Sequence, residues 1–226
     1  MPLVQLLTPP RLPGRRLLKD RAQDSIRAAI LRGDFRAGER LDHRALQEWL
    51  GTSRTPIRDA LNALATEGLV DIRAQSHTSV ISADPGEGED SLETLGVLMG
   101  GVIRLTLPAL DDEQLGALDA RVADAQQHVV SRDLYAHTAA VHLVFTYLLD
   151  RCPNRVLEHR TRSALTPLLY RARVAAQQRT PHWVGASECW SLLRAAIESR
   201  DAHAAEAAVK QLHHLPADVG RMPSGA

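Results

Sequence analysis

From Leu17 onward, apolar residues recur on one helical face: Ala22, Ile26, Ala29 and Ile30 keep a 3.6-residue period until Gly33 stops it. A second, shorter helix carries Ala45, Leu46, Trp49 and Leu50, with Asp42 as its N-cap and Gly51 at its end. A third is capped by Ser53, tolerates Pro56 in its first turn and presents Ile57, Ala60, Leu61 and Leu64 as an apolar stripe. Two short β-like runs follow, Leu69 to Arg73 and Thr78 to Ser82, joined by a polar turn at Gln75, Ser76 and His77. Asp84-Pro85-Gly86-Glu87-Gly88 reads as a linker. Beyond it the period is helical over 90–107, 111–130, 132–150, 153–178, 182–200 and 201–214, with breaks at Pro108, Ser131, Pro153 and Pro181 and near Asp201. The pattern predicts a mainly α chain: a loose tail over 1–15, three helices and a β-hairpin over 16–83, a linker over 84–90, an all-α bundle of about six helices over 91–215, and a second tail over 216–226.

Charge adds a second division. The chain has 226 residues with 27 basic and 27 acidic side chains, yet residues 1–82 hold 13 basic against 9 acidic and the remainder 14 against 18. A basic first part and an acidic second part suit a protein that meets a polyanion with one end only. No apolar run approaches the roughly 18 residues of a spanning helix, so no membrane partner is expected. The start lacks the order of a signal peptide and there are only two cysteines, Cys152 and Cys189, which excludes a disulfide scaffold and points to the cytoplasm. The spacing of Cys152 and His159 invites a nucleophile, but no partnered acid or oxyanion motif accompanies it, so no enzyme is expected.

The chemistry of the first part lies in its third helix. Arg54, Arg58 and Asn62 recur every four residues on a face separate from the apolar stripe. Two short helices in tandem before a hairpin outline a winged helix-turn-helix, and an arginine pair at the start of its third helix suits guanine edges in the major groove. Ser53 and Thr55 stand where free backbone N–H groups suit phosphate. The plainer reading is that the arginines solvate the surface or pair with Asp59. The combined outline and the local positive charge favour DNA.

The run from Ile26 to Val70, and above all Ser53-Arg54-Thr55-Pro56-Ile57-Arg58-Asp59-Ala60-Leu61 with Leu64, Glu67, Gly68, Leu69 and Val70, resembles the DNA-binding domain of GntR-family bacterial transcription regulators. The resemblance implies base reading by Arg54 and Arg58, a further DNA contact by Arg44, and a phosphate held by Thr55. It departs at Gln47, where the family usually has alanine, at Thr52, where it has valine, and at the wing tip, where His77 stands in place of a glycine.

The second part resembles the FCD effector domain of the FadR-like subfamily in its VanR-like branch, through Val141-His142 with Asn154 and through Ala196-Ile197, Asp201 and Ala205. Many members hold a divalent metal there with one Asp and three His. Here His142 matches the first histidine, Thr138 takes the aspartate position, Trp190 the second histidine position and Leu212 the third, beside His213 and His214. No cofactor is therefore expected; a shifted register through His137, His213 or His214 is what would keep a metal. Trp190 either fills the vacated space or walls a pocket. Arg104, Arg160, Arg162, Arg171 and Arg173 include candidates for an anionic effector, with His142, Trp190, Arg104, Arg162 and His213 as pocket residues. The apolar segment LGVLMGGVIRLTL, rich in glycine, reads as buried in the bundle or at a subunit contact. The resemblance thus implies a homodimeric repressor on a palindromic operator, modulated by a small-molecule effector. Two alternatives stay open: a bundle that serves only dimerisation or a protein partner, and a metal-dependent regulator.

Overall fold

The computed structural model describes residues 18–73, 77–82, 85–178 and 183–213. Both predicted tails and the turn residues Gln75 and Ser76 lie outside them, as does His214. The chain divides into two compact units, Met1–Ala83 and Asp84–Ala226. Its secondary structure is mainly α with one two-stranded sheet among the described residues.

In the first unit, α1 (Leu18–Arg32) packs on α3 (Arg54–Thr66), with α2 (His43–Leu50) between the two in sequence. Ile26, Ile30, Leu46, Ile57, Leu61 and Leu64 are fully buried, so the predicted stripes of all three helices meet in one core. Phe35 closes one end, its ring edge-on to Trp49 at 6.0 Å between centroids. Asp42 caps α2 by accepting the Ala45 N–H at 2.8 Å, and Gly51 ends it at φ +60°, a left-handed conformation where a side chain would be strained. Ser53 stands at the N-cap of α3 with extended backbone, but its side chain makes no capping bond, which corrects the expected cap; the hydroxyl is exposed. At the far end of α3, Glu67 accepts from Gln23 and, through both carboxylate oxygens, from Arg27, which clamps α1 to α3. Hydrogen bonding from Glu67 raises the Arg27 pKa, so the clamp keeps its charge.

β1 (Val70–Ile72) and β2 (Thr78–Val80) pair antiparallel, Val70 opposite Val80 and Ile72 opposite Thr78. The segment before α2 runs along the other edge of β2: Leu41 N–H donates to Thr78 O at 2.8 Å and Val80 N–H to Glu39 O at 2.9 Å. His43 Nε2 lies 3.3 Å from Thr78 Oγ1, so α2 is tied to the hairpin by side chain as well.

The second unit is a bundle of α4 (Pro85–Thr106), α5 (Asp112–Val130), α6 (Leu134–Leu149), α7 (Arg155–Gln178), α8 (Trp183–Glu198) and α9 (Ala202–Leu212). Three of the caps are aspartates and one an asparagine: Asp111 with Gln114 forms a capping box on α5, Asp133 and Asp201 accept early N–H groups of α6 and α9, and Asn154 accepts those of Val156 and Leu157 in α7. The core runs through α4, α5, α6, α8 and α9, with Leu165 and Leu169 of α7 joining it.

Two expectations fail here. Of the predicted linker 84–90, residues 85–90 form the first turns of α4: proline is tolerated at a helix start, Glu87 suits the positive end of the dipole, and Gly88 is buried. A Cβ on Gly88 would come within 2.0 Å of Ala175 Cβ, so the glycine serves close approach of α4 and α7 rather than flexibility. The search for apolar runs also misses that residues Gly86–Ala109 are long and apolar enough, by length and composition, to cross a membrane. The apolar side of that helix is instead buried, with Leu95, Met99, Val102 and Ile103 shielded from solvent.

Candidate nucleic-acid interface

Once Ile57, Ala60, Leu61 and Leu64 turn inward, Arg54, Arg58 and Asn62 are left exposed along one side of α3. Arg58 reaches only its neighbour Asp59, at 3.6 Å, and an ion pair at such exposure holds the guanidinium loosely. Arg44 projects from α2 almost fully exposed, tethered to Glu48 at 3.0 Å one turn on. Ser53 and Thr55 are exposed at the N-terminus of α3.

Arg54 and Arg44 share a concave groove of about 820 Å³ with His43, Gln47, Arg40, Arg73, His77 and Thr78. The groove therefore joins the start of the third helix, the outer side of the second and the turn end of the hairpin. Among its described lining residues are four arginines and one carboxylate, Asp42, which is engaged on the Ala45 N–H. A positive concave surface of this kind concentrates field on a polyanion. Arg58 and Asn62 continue the same helix beyond the groove's lining.

Arg40, His43, Gln47 and Arg73 were not picked out by sequence reasoning. His43 and Gln47 lie on α2 and Arg40 just before it, while Arg73, at the end of β1, is brought beside them by the pairing of β2 with β1 and with residues 39–41. Arg73 is held by Asp71 at 2.9 Å within its own strand end. The one legible signal was Gln47, conspicuous where alanine is usual.

The predicted pocket of the second unit is not assembled as expected. Arg162 stands on the outside, donating to Asp150 at 2.9 Å and to Glu158, whose hydrogen bond raises its pKa; an arginine so engaged at the surface lines no interior pocket. Arg104 reaches across to Glu206 at 3.9 Å, a carboxylate that also takes Lys210 at 2.9 Å. Among the five arginines considered, it is Arg173 that is buried, its guanidinium 4.6 Å from the Tyr135 ring centre and 5.1 Å from that of Tyr170. Burial depresses the Arg173 pKa and pushes the Tyr170 phenol up to about 12.

Trp190 is 0% exposed and lies among the largest buried side chains. Its indole N–H donates to His137 Nε2 at 3.1 Å, and Trp183 meets the same imidazole edge-on at 6.2 Å. Burial, with His128 and His213 nearby, lowers the His137 pKa to about 4, which keeps the accepting nitrogen unprotonated. His213 is buried, stacked on Phe145 at 5.5 Å, with Nδ1 2.7 Å from Val209 O. His142 is half-buried, Nε2 3.4 Å from Thr166 Oγ1, and Thr138 donates to Leu134 O. Asp201 is spent as the cap of α9, where the Ala204 and His203 N–H groups hold its carboxylate below the usual range.

The residues do not fit the divalent metal that FCD resemblance implies. No group of three metal-capable side chains exists among the described residues, and the His137 lone pair already accepts the indole N–H.

Residues 18–80 match the gntR family of bacterial regulatory proteins, and residues 90–214, more than half of the chain, match the FCD domain. The chain belongs to the FCD-bearing GntR family. That family is one of transcription regulators, not of enzymes. Over 106 residues the chain is 24% identical to the uncharacterized HTH-type transcriptional regulator YdhC of Bacillus subtilis (strain 168), a stretch covering 47% of each protein. The match therefore spans about half the length of that relative. Two solved structures share the fold: McbR/YncC of E. coli, at a TM-score of 0.71, 18% identity and coverage of 88% of this chain and 94% of that one, and a GntR transcriptional regulator from Rhodococcus sp. RHA1, at 0.70, 18%, 87% and 93%.

Proposed function

We propose that this protein is a sequence-specific DNA-binding transcription regulator, a homodimer that places two copies of α3 in the major groove of a palindromic operator. The observation that carries the reading is the exposed row Arg54, Arg58 and Asn62 continuing from a groove that four arginines line. Arg54 and Arg58 read guanine edges, Arg44 adds a contact from α2, and Ser53 and Thr55 with the first N–H groups of α3 hold a phosphate. His77 and Arg73 extend the contact along the hairpin. Two-fold protein symmetry matches a two-fold site. Occupancy of the operator excludes other proteins from the same duplex, which makes the regulator a repressor.

The second unit binds a small-molecule effector whose preference for one arrangement of the protein shifts operator affinity, typically by about 1–3 kcal/mol for such coupling. The buried Arg173 guanidinium, close to the Tyr135 and Tyr170 rings, supports an anionic effector, because a charge pair gains most where water is excluded. A second reading, a bundle that only dimerises or docks a protein, is favoured by the Trp190 indole filling the interior.

The test is selection of bound fragments from fragmented source-genome DNA by the full chain, with an Arg54→Ala/Arg58→Ala double variant in parallel. The wild type enriches a palindrome; each lost arginine costs about 1–3 kcal/mol at that site, and the double variant enriches nothing. Equal enrichment by both proteins, or none by folded wild type, overturns the assignment of α3.

A further inference from the structure

Gln47 occupies an unusual place in the groove. It follows Arg44 by three residues on α2, so the two side chains share a face, and both line the concavity with Arg54. Its backbone is fixed at the turn between α2 and α3, where its carbonyl accepts the N–H groups of Gly51 and of Thr52, the latter at 3.2 Å. Its side chain is fixed as well: Nε2 donates to His43 O, one turn back, at 3.0 Å.

That bond orients the amide. A primary amide carries two N–H donors and one carbonyl acceptor. With one N–H on His43 O, the other N–H and Oε1 remain as an adjacent donor–acceptor pair on a half-buried, immobilised side chain. Adenine presents the complement in the major groove, N7 accepting and N6 donating. Guanine presents two acceptors there, of which the amide satisfies one. Alanine is a better helix former than glutamine and would preserve the turn, so the fold does not call for this amide.

We propose that Gln47 is a base-reading residue, specific for adenine at one position of each half-site, next to the bases contacted by Arg44 and Arg54. The proposal rests on the DNA-reading assignment of the first unit. It assigns the departure at Gln47 to operator choice: a GntR-type helix-turn-helix with alanine there has no amide to offer that base pair.

The experiment is selection from a random duplex library by the full chain, comparing wild type with Gln47→Ala, Gln47→Glu and Arg54→Ala, each checked for an unchanged thermal melt. Wild type selects adenine at one position per half-site. Gln47→Ala keeps the rest of the palindrome and loses discrimination at that position by about 5- to 150-fold, the equivalent of one bidentate pair. Gln47→Glu, an acceptor only, shifts the same position toward cytosine, whose N4 amino group donates. An unchanged preference at every position in Gln47→Ala overturns the proposal, as does a wild-type preference for guanine there. If Arg54→Ala alters preferences while both Gln47 variants match wild type, the DNA-reading assignment stands and only the role of Gln47 falls; a wild type that selects no palindrome takes both down.

Discussion

The two units treat polar side chains in opposite ways. In the first, the residues that resemble the family most closely sit at the surface with slack or partial engagement: Arg44 on a single exposed glutamate, Arg58 at 3.6 Å from Asp59. In the second, Trp190 is fully buried, and the polar atoms at two positions that match the family's metal ligands are paired within the bundle, Trp190 on His137 and Thr138 on Leu134 O. Weak ion pairs at high exposure cost little to exchange for phosphate or base contacts. A buried indole–imidazole bond is costly to break, because either partner left alone keeps its desolvation penalty. The difference separates a surface prepared to meet a ligand from a core stabilised by polar contacts of its own.

The largest expected effect tests whether Trp190 belongs to that core. Trp190→Ala removes a fully buried indole and leaves His137 without its donor, so about 3–5 kcal/mol of stability is lost from the second unit, read by urea unfolding of the full chain. A loss under about 1 kcal/mol would mean that the indole walls a pocket rather than filling the interior, and would make the two units more alike.

The pH dependence of stability addresses the same contact. The imidazole of His137 titrates near 6.5 when unfolded and at about 4 when folded, lowered chiefly by burial. A group whose folded pKa is depressed contributes stability that is complete above the unfolded value and lost as pH falls toward the folded one. Unfolding free energy should therefore decline between pH 6.5 and 4, by at most about 3 kcal/mol from this group. Imidazolium has no lone pair for the indole N–H, which gives the decline its structural cause. His137→Gln keeps an acceptor without a titration in this range, so its profile should be flatter than wild type across that window. Identical profiles would assign the decline elsewhere.

How far the sequence reveals this contrast depends on the range of the interactions. Helix stripes, the Asp42 cap and the Gly51 terminus depend on neighbours within a few residues, and local pattern carries them. The row Arg54, Arg58 and Asn62 is legible for the same reason. Gly88 misleads because glycine marks both flexible linkers and close helix approach, and only Ala175, far along the chain, distinguishes them. Arg40 and Arg73 join the groove through strand pairing, and His137 finds Trp190 across two helices; no local pattern encodes either meeting. The substitutions at Thr138 and Trp190 are readable in the sequence, while the indole–imidazole bond that Trp190 makes is not.

The smallest expected effect lies in the first unit, at its own small exception to the contrast. Thr52 sits in the turn between α2 and α3, where its N–H donates to Gln47 O at 3.2 Å but its hydroxyl is enclosed without a hydrogen-bond partner. Valine, usual at this position in related helix-turn-helix domains, keeps the branched shape and removes the orphaned hydroxyl. Because the penalty for an unsatisfied buried hydroxyl disappears while the packing volume is held, Thr52→Val should stabilise the protein by about 1 kcal/mol in thermal or urea unfolding. Base preference should stay as in wild type, since Thr52 is not among the residues lining the groove and its hydroxyl is enclosed. A destabilised Thr52→Val protein would show that the hydroxyl bonds to water or to phosphate. The turn would then belong to the contact surface, and the boundary between the inward and the outward polar groups would have to be drawn one residue further into the fold.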